Sequence, residues 1–257
     1  MNSRKISLMG CRIDSLSMNE TIRLVEEIIR EGIPRQHVVV NAFKFAMMRH
    51  DSELRRIINA CDVVNADGMP VVWASRVLGT PLPERVAGVD LFLRLVEMSS
   101  RKGYRPYFFG AREEVLQRTV AAFKATYPKL EIAGFRNGYF RDDEEETIAR
   151  QIRDSRPDML FVGISSPMKE KFLNRWMSYM RVPFCMGVGG SFDIVGGKTQ
   201  RAPIWVQRFG IEWAHRILQE PRRMWARYAK TNPVFIWMVM KAYVQRQQRG
   251  APVSVPG

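Results

Sequence analysis

Short, nearly continuous apolar runs alternate with longer stretches in which apolar residues return every three or four positions. This alternation holds from residue 37 to residue 193. Runs at 37–41, 62–65, 106–111, 130–134 and 158–163, and one opening at Phe184, read as buried strands. Helical periodicity falls at 20–31 (Ile22, Val25, Ile28 and Ile29, with Asn19 as cap), from 42 onward, and at 52–59, 69–78 and 89–102. It returns after Gly110 as far as Pro128, at 145–154, and from Met168 to Met180. Residues 5–16 read as a hairpin around Gly10. Strand–helix alternation predicts a parallel sheet with both faces covered. The expected class is α/β: a Rossmann-like, mostly parallel sheet covered by helices, a small N-terminal β-hairpin and a basic helical C-terminal appendage. The expected division is a body over 1–196, with an internal seam near 103, and an appendage over 197–257.

Within this pattern the stretch 61–88 stands out. Its strand stops at Asp67-Gly68, a helix follows at once, and the proline-braced loop Pro81-Leu82-Pro83-Glu84-Arg85 comes next. An acidic residue at the carboxyl end of a strand is where open α/β sheets bind ligands. Asp67 has two readings: a turn residue capping the next helix, or a general base for an acceptor hydroxyl. Arg85 reads as an ordinary surface cation or as a charge fixed by its prolines. Strands ending at Gly110, Gly163 and Gly187, the last followed by Gly189, would let backbone N–H groups approach a phosphate. Glycine also simply permits tight turns.

A nicotinamide-dinucleotide oxidoreductase is a rival, but Gly187-Val188-Gly189-Gly190-Ser191-Phe192 has Phe at the sixth fingerprint position. No acidic residue follows at about 20 residues. The three His are scattered and no Cys pair has ligand spacing, so no metal or other cofactor is expected. Asp-x-Asp is absent from the chain, which leaves Arg, Lys and helix ends to neutralise a diphosphate.

Charge changes the picture. The 257 residues carry a net charge of +14, and residues 197–257 hold eleven Lys or Arg against only Glu212 and Glu220. Such a balance implies an anionic partner. In the basic tail Trp213, Trp225, Tyr228 and Trp237 interleave with arginines, which suits the headgroup zone of an anionic bilayer. It also suits a nucleic-acid-binding surface, or a helix with a solvated basic face. Three odd, widely spaced cysteines read as buried reduced thiols and a cytoplasmic home. Residues 1–10 lack an apolar signal region, and no apolar run reaches the roughly 20 residues of a spanning helix. Membrane contact would then be peripheral.

Several segments together resemble the WecG/TagA/CpsF family of bacterial glycosyltransferases. They are VVVNA (38–42), VVNADGMPVVW (63–73), LPERVAG (82–88), YFFGA (107–111), FRNGYF (135–140), GISSPMKEKF (163–172), GVGGSFDIVGGKTQRAPIW (187–205) and FGIEWAHRILQEPRR (209–223). The resemblance implies an inverting, metal-independent transfer from a UDP-sugar donor to a polyprenyl-diphosphate-linked saccharide acceptor at the inner face of the cell membrane. It implies Asp67 as base, Asn41 and Arg85 in the pocket, and Lys169 and Glu170 in the Pro-x-Gln-Glu loop position. Arg216, Arg222, Arg223 and Arg227 become diphosphate contacts, and the appendage touches an anionic membrane surface. Nucleic acid is then not a partner, and a homo-oligomer exchanging tail and body stays open. Two positions depart from the family pattern. Val39 stands in place of Thr, and Lys169 stands in place of Gln, which opens a different donor preference, for example an acidic or non-acetylated sugar.

Overall fold

The computed structural model describes residues 5–203, 205–206 and 210–250, the side chains of Arg216, Arg223, Arg227 and Arg249 excepted. Strands β1 (Lys5–Leu8) and β2 (Cys11–Asp14) form an antiparallel hairpin. The other six strands form one sheet, and every pairing in it is parallel. They are β3 (Arg35–Val40), β4 (Val63–Ala66), β5 (Pro106–Gly110), β6 (Gly134–Arg136), β7 (Met159–Gly163) and β8 (Phe184–Gly187). Their order across the sheet is β4-β3-β8-β7-β5-β6. The expected class is thus the observed one. The connection leaving β5 runs outward to β6, while that leaving β7 runs back to β8. Chain directions therefore diverge between the carboxyl ends of β5 and β7, the kind of place where open sheets hold ligands.

The helices follow from local chemistry. Helix α1 (Met18–Glu31) is capped by Ser17 in a capping box with Glu20, and not by Asn19 as the sequence suggested. The Ser17 hydroxyl and the Glu20 carboxylate satisfy each other's backbone donors, which Asn19, one position inside the helix, does not do. Asn41 caps α2 (Ala42–His50) and Asp51 caps α3 (Ser52–Ala60). Next come α4 (Met69–Val77), α5 (Gly88–Lys102), α6 (Glu113–Thr126), α7 (Glu145–Asp154), α8 (Met168–Met180) and the short α9 (Ser191–Val195). The run at 130–134 is a second correction. Leu130 is buried but lies outside the strand; Ala133 N–H donates to Pro106 O, and the ladder with β5 starts at Gly134. A Cβ on Gly134 would lie 2.6 Å from the Tyr107 ring, so close approach to β5 is what starts that edge strand.

One face of the sheet packs on α1, α5 and α6. There Phe92 meets Phe108, Phe123, Phe161 and Phe192 edge-on, with centroids 4.8–6.2 Å apart. Such edge-to-face contacts add to what burial alone contributes. The opposite face packs on α7 and α8 around Phe109 and Phe172. A third cluster joins the hairpin, α2, α3 and α4 to the C-terminal segment. That segment forms α10 (Glu212–Gln219) and α11 (Pro221–Gly250). Phe235 of α11 is buried against Phe45 of α2, and Arg49 stacks 4.4 Å over the Trp237 ring.

His37 in β3 is wholly buried. Its Nε2 lies 2.9 Å from Asn65 Oδ1 in β4, while Nδ1 has no hydrogen-bond partner among the described residues. Burial, opposed by the Asn65 contact and aided by nearby Lys44, pushes its pKa down to about 4. The neutral ring is therefore the folded form. The stability it contributes is full above the unfolded value of about 6.5 and is lost as pH falls from there toward 4. Between pH 7 and pH 4.5 this single group should cost about 2 kcal/mol by linkage. Urea unfolding of the wild type and of His37→Gln at both pH values checks it: the wild type should lose that much more than the variant.

Candidate functional site

All six parallel strands end on one edge, and Asp67, Asn41, Lys169, Glu170 and the candidate glycines stand there. Asp67 directly follows β4, with its N–H donating to Val40 O at 2.8 Å. Gly68 holds the cap position of α4, so the helix starts without a side-chain cap from that position. The Asp67 residue is half-buried. The proline-braced loop is stitched to the same strand end. Val86 N–H donates to Ala66 O at 2.9 Å, and Leu82 N–H donates to Ser75 Oγ at 3.1 Å. This carries Arg85 to the β4 end of the edge.

Arg85 is not an open cation. Its guanidinium donates to Glu212 Oε2 of α10 at 2.7 Å and lies 3.8 Å from Asp90, which also pairs with Arg201. Two acids and two bases thus join the body to the C-terminal segment. Spacing could not have shown this, because Glu212 lies 127 residues from Arg85.

Asn41 stands at the end of β3, where its Oδ1 accepts the Lys44 N–H at 3.0 Å. Lys44 is the residue that sequence reasoning missed. Its ammonium is buried, donating to Val39 O at 2.8 Å and pairing with Glu170 Oε1 at 2.9 Å. The only signal was a lysine in the first turn of an otherwise apolar helix, Ala42-Phe43-Lys44-Phe45-Ala46. Lys169 Nζ donates to Ser166 Oγ at 2.6 Å, and Ser166 in turn donates to Glu170 Oε1 at 3.1 Å. Burial raises the Glu170 pKa, but the charges of Lys44 and Lys169 and the Lys44 hydrogen bond outweigh it. The net shift is downward, and Glu170 stays a carboxylate.

The glycines are explained by packing. A Cβ on Gly110 would meet the Gly163 backbone at 2.4 Å, and one on Gly163 would meet the Phe192 ring at 2.4 Å. One on Gly187 would meet the Lys169 stem at 2.8 Å. Gly189 is different: the nearest atom to its Cβ position is Lys169 Nζ at 3.8 Å, so the turn is open there. With strands about 4.8 Å apart, Asp67 and Gly187 stand roughly 10 Å from each other along the edge. A carboxylate at one end, a row of cations and an open glycine turn suit a reaction that removes a proton from one substrate while negative charge builds on another.

Arg222 is exposed, and the side chains of Arg216, Arg223 and Arg227 lie outside the described residues. Among the described residues no group of three His, Cys, Asp or Glu could hold a metal ion. Cys11, Cys61 and Cys185 are buried free thiols, with burial pushing the first two up to about 12.

Comparison with known proteins identifies the family. Residues 6–249 match the model of the glycosyl transferase WecG/TagA/CpsF family. The chain belongs to this family. It is similar to an N-acetylglucosaminyldiphosphoundecaprenol N-acetyl-beta-D-mannosaminyltransferase of Bacillus spizizenii, 36% identical over 185 residues, which covers 72% of this chain and 70% of the relative. A Bacillus subtilis protein of the same name is 33% identical over 69% of this chain and 68% of its own. One from Staphylococcus aureus strain MW2 is 28% identical over 94% of each. The protein is accordingly a glycosyltransferase.

The packing account of the glycines has a direct consequence. Gly110 combines a φ of 137° with a backbone contact, so Gly110→Ala should lose 3 kcal/mol or more, on the order expected of a strained overpacked site. Gly189→Ala makes only an ordinary contact with Lys169 Nζ and should lose only about 1 kcal/mol, for its left-handed backbone. Denaturant midpoints of the two variants measure the difference.

Proposed function

We propose that this glycosyltransferase moves a hexose or N-acetylhexosamine-type sugar from a UDP-sugar to a polyprenyl-diphosphate-linked saccharide in cell-surface polysaccharide synthesis. The transfer inverts the anomeric centre and uses no metal ion. The observation that carries this reading is the half-buried Asp67 at the end of β4, on the edge that also holds Lys169 and the Gly189 turn. Relatives named for transfer of N-acetylmannosamine to N-acetylglucosaminyldiphosphoundecaprenol support the acceptor class.

In this reading Asp67 takes the proton of the acceptor hydroxyl as its oxygen bonds to the anomeric carbon. The bond from that carbon to the UDP oxygen breaks, and its electron pair leaves on the diphosphate. Lys169 offsets that charge together with Arg85, which Glu212 and Asp90 hold in place. The tail arginines Arg216, Arg222, Arg223 and Arg227 supply further charge. The lack of Asp-x-Asp supports a cationic rather than a metal clamp.

The acceptor is a lipid, and the C-terminal segment fits a role at the inner membrane face. Exposed Trp225, Ile236, Met240 and Tyr243 stand among Arg222, Lys230, Lys241 and Arg246 on α11. This mixture suits the headgroup layer of an anionic bilayer. Among the described residues no helix is long and apolar enough to cross a membrane.

Two measurements test the reading. Asp67→Asn should keep the melting temperature and lower kcat by about 10²–10⁴, the range for loss of a general base; near-wild-type turnover would remove Asp67 from the mechanism. Placing Glu at both Ile236 and Met240, which are exposed, should weaken sedimentation with anionic vesicles by about tenfold. Undiminished anionic-vesicle binding would rule out this face.

A further inference from the structure

Lys44 ties together three parts of the site edge. Its backbone N–H holds the Asn41 side chain, and its ammonium holds Val39 O and the Glu170 carboxylate. A continuous chain of contacts then runs from Lys44 Nζ to Glu170 Oε1, to the Ser166 hydroxyl, to Lys169 Nζ. Glu170 thus stands between two buried ammoniums and is bound unequally. Oε1 is 2.9 Å from Lys44 and 3.7 Å from Lys169, beyond hydrogen-bond range. Oε2 is buried without a hydrogen-bond partner among the described residues.

The Lys169 stem lies across Gly187, and its ammonium reaches the open turn at Gly189. A buried carboxylate stripped of its cation is costly and will recruit another within reach. If Lys44 lost its charge, the cation in reach would be Lys169, whose ammonium would turn from the Gly189 turn to Glu170 and its unbonded Oε2.

We propose that Lys44 is a positioning residue for donor binding: by committing the Glu170 carboxylate, it leaves the Lys169 ammonium presented at the Gly187–Gly189 turn to anionic oxygens of the donor. This rests on the reading that a UDP-sugar occupies this edge. Lys44 itself touches no substrate. Its effect runs through Glu170 and Lys169.

The experiment is calorimetric titration of UDP into the full-length protein and four variants, with melting temperatures recorded alongside. Lys169→Met should weaken UDP about tenfold, the order of one charged contact. Lys44→Met should weaken it by the same factor, because Glu170 then captures Lys169. Lys44→Met with Glu170→Gln, which removes the carboxylate that would draw Lys169 away, should bind UDP within about threefold of wild type, as should Glu170→Gln alone.

A Lys44→Met protein that melts earlier yet binds UDP normally would reduce Lys44 to a structural ion pair and overturn the proposal. So would a double variant as weak as the single one. If Lys44→Met fails to fold, the other three variants decide: normal binding by Lys169→Met, or a tenfold loss in Glu170→Gln or in the double variant, overturns it. Absence of UDP binding by the wild type would overturn this inference and the donor assignment together. UDP binding without sugar transfer would sink the transfer reading alone and leave the affinity pattern to judge Lys44.

Discussion

Parallel pairing of six strands is the constraint on which the rest of the molecule depends. Each strand must be re-entered from the same end, so every connection crosses a face of the sheet and every carboxyl end points the same way. Both faces are thereby covered, which is why the strands are almost wholly apolar and why a dense set of phenylalanines fills the layer between β5, β7 and α5. The polar residues that chemistry needs are left one place to gather, the edge where the strands stop. Asp67, Asn41, Lys169 and the glycine turns all stand there, though they come from segments up to about 150 residues apart.

Charge at that edge is arranged in pairs. Glu212 and Asp90 hold Arg85, and Glu170 holds Lys44 while standing near Lys169. In a partly buried setting such pairs are strong enough to fix side-chain positions, and an unpaired member would be costly. Arg85 is bound to the C-terminal segment, whereas the ammonium of Lys169, hydrogen-bonded to Ser166, lies beside the Gly189 turn. The strongly positive total charge says nothing about this distribution.

The C-terminal segment belongs to the core as well as to the surface. Phe235 is buried against Phe45, and Glu212 reaches Arg85. One side of α11 contributes to the apolar cluster of the hairpin and α2, while the other exposes aromatic and aliphatic side chains among lysines and arginines. A helix built this way couples whatever its outer face touches to the ions beside the site.

The sequence by itself determined the fold class, most strand and helix positions, the end-of-strand placement of Asp67, Asn41, Gly110, Gly163 and Gly187, and the family. Those features are periodic or contiguous, and short-range sterics and hydrophobic patterning write them directly into neighbouring residues. Where local signals competed, they misled: Asn19 and Ser17 both suit a cap, and the apolar run at 130–134 contributes buried side chains more than strand pairing. Only the tertiary structure decided that Gly110, Gly163 and Gly187 are required by neighbouring protein atoms, that Glu212 binds Arg85, and that Lys44 is buried against Glu170. Each of these is a contact between residues distant in the chain, and no one-dimensional spacing encodes which side chains meet when helices are laid across a sheet.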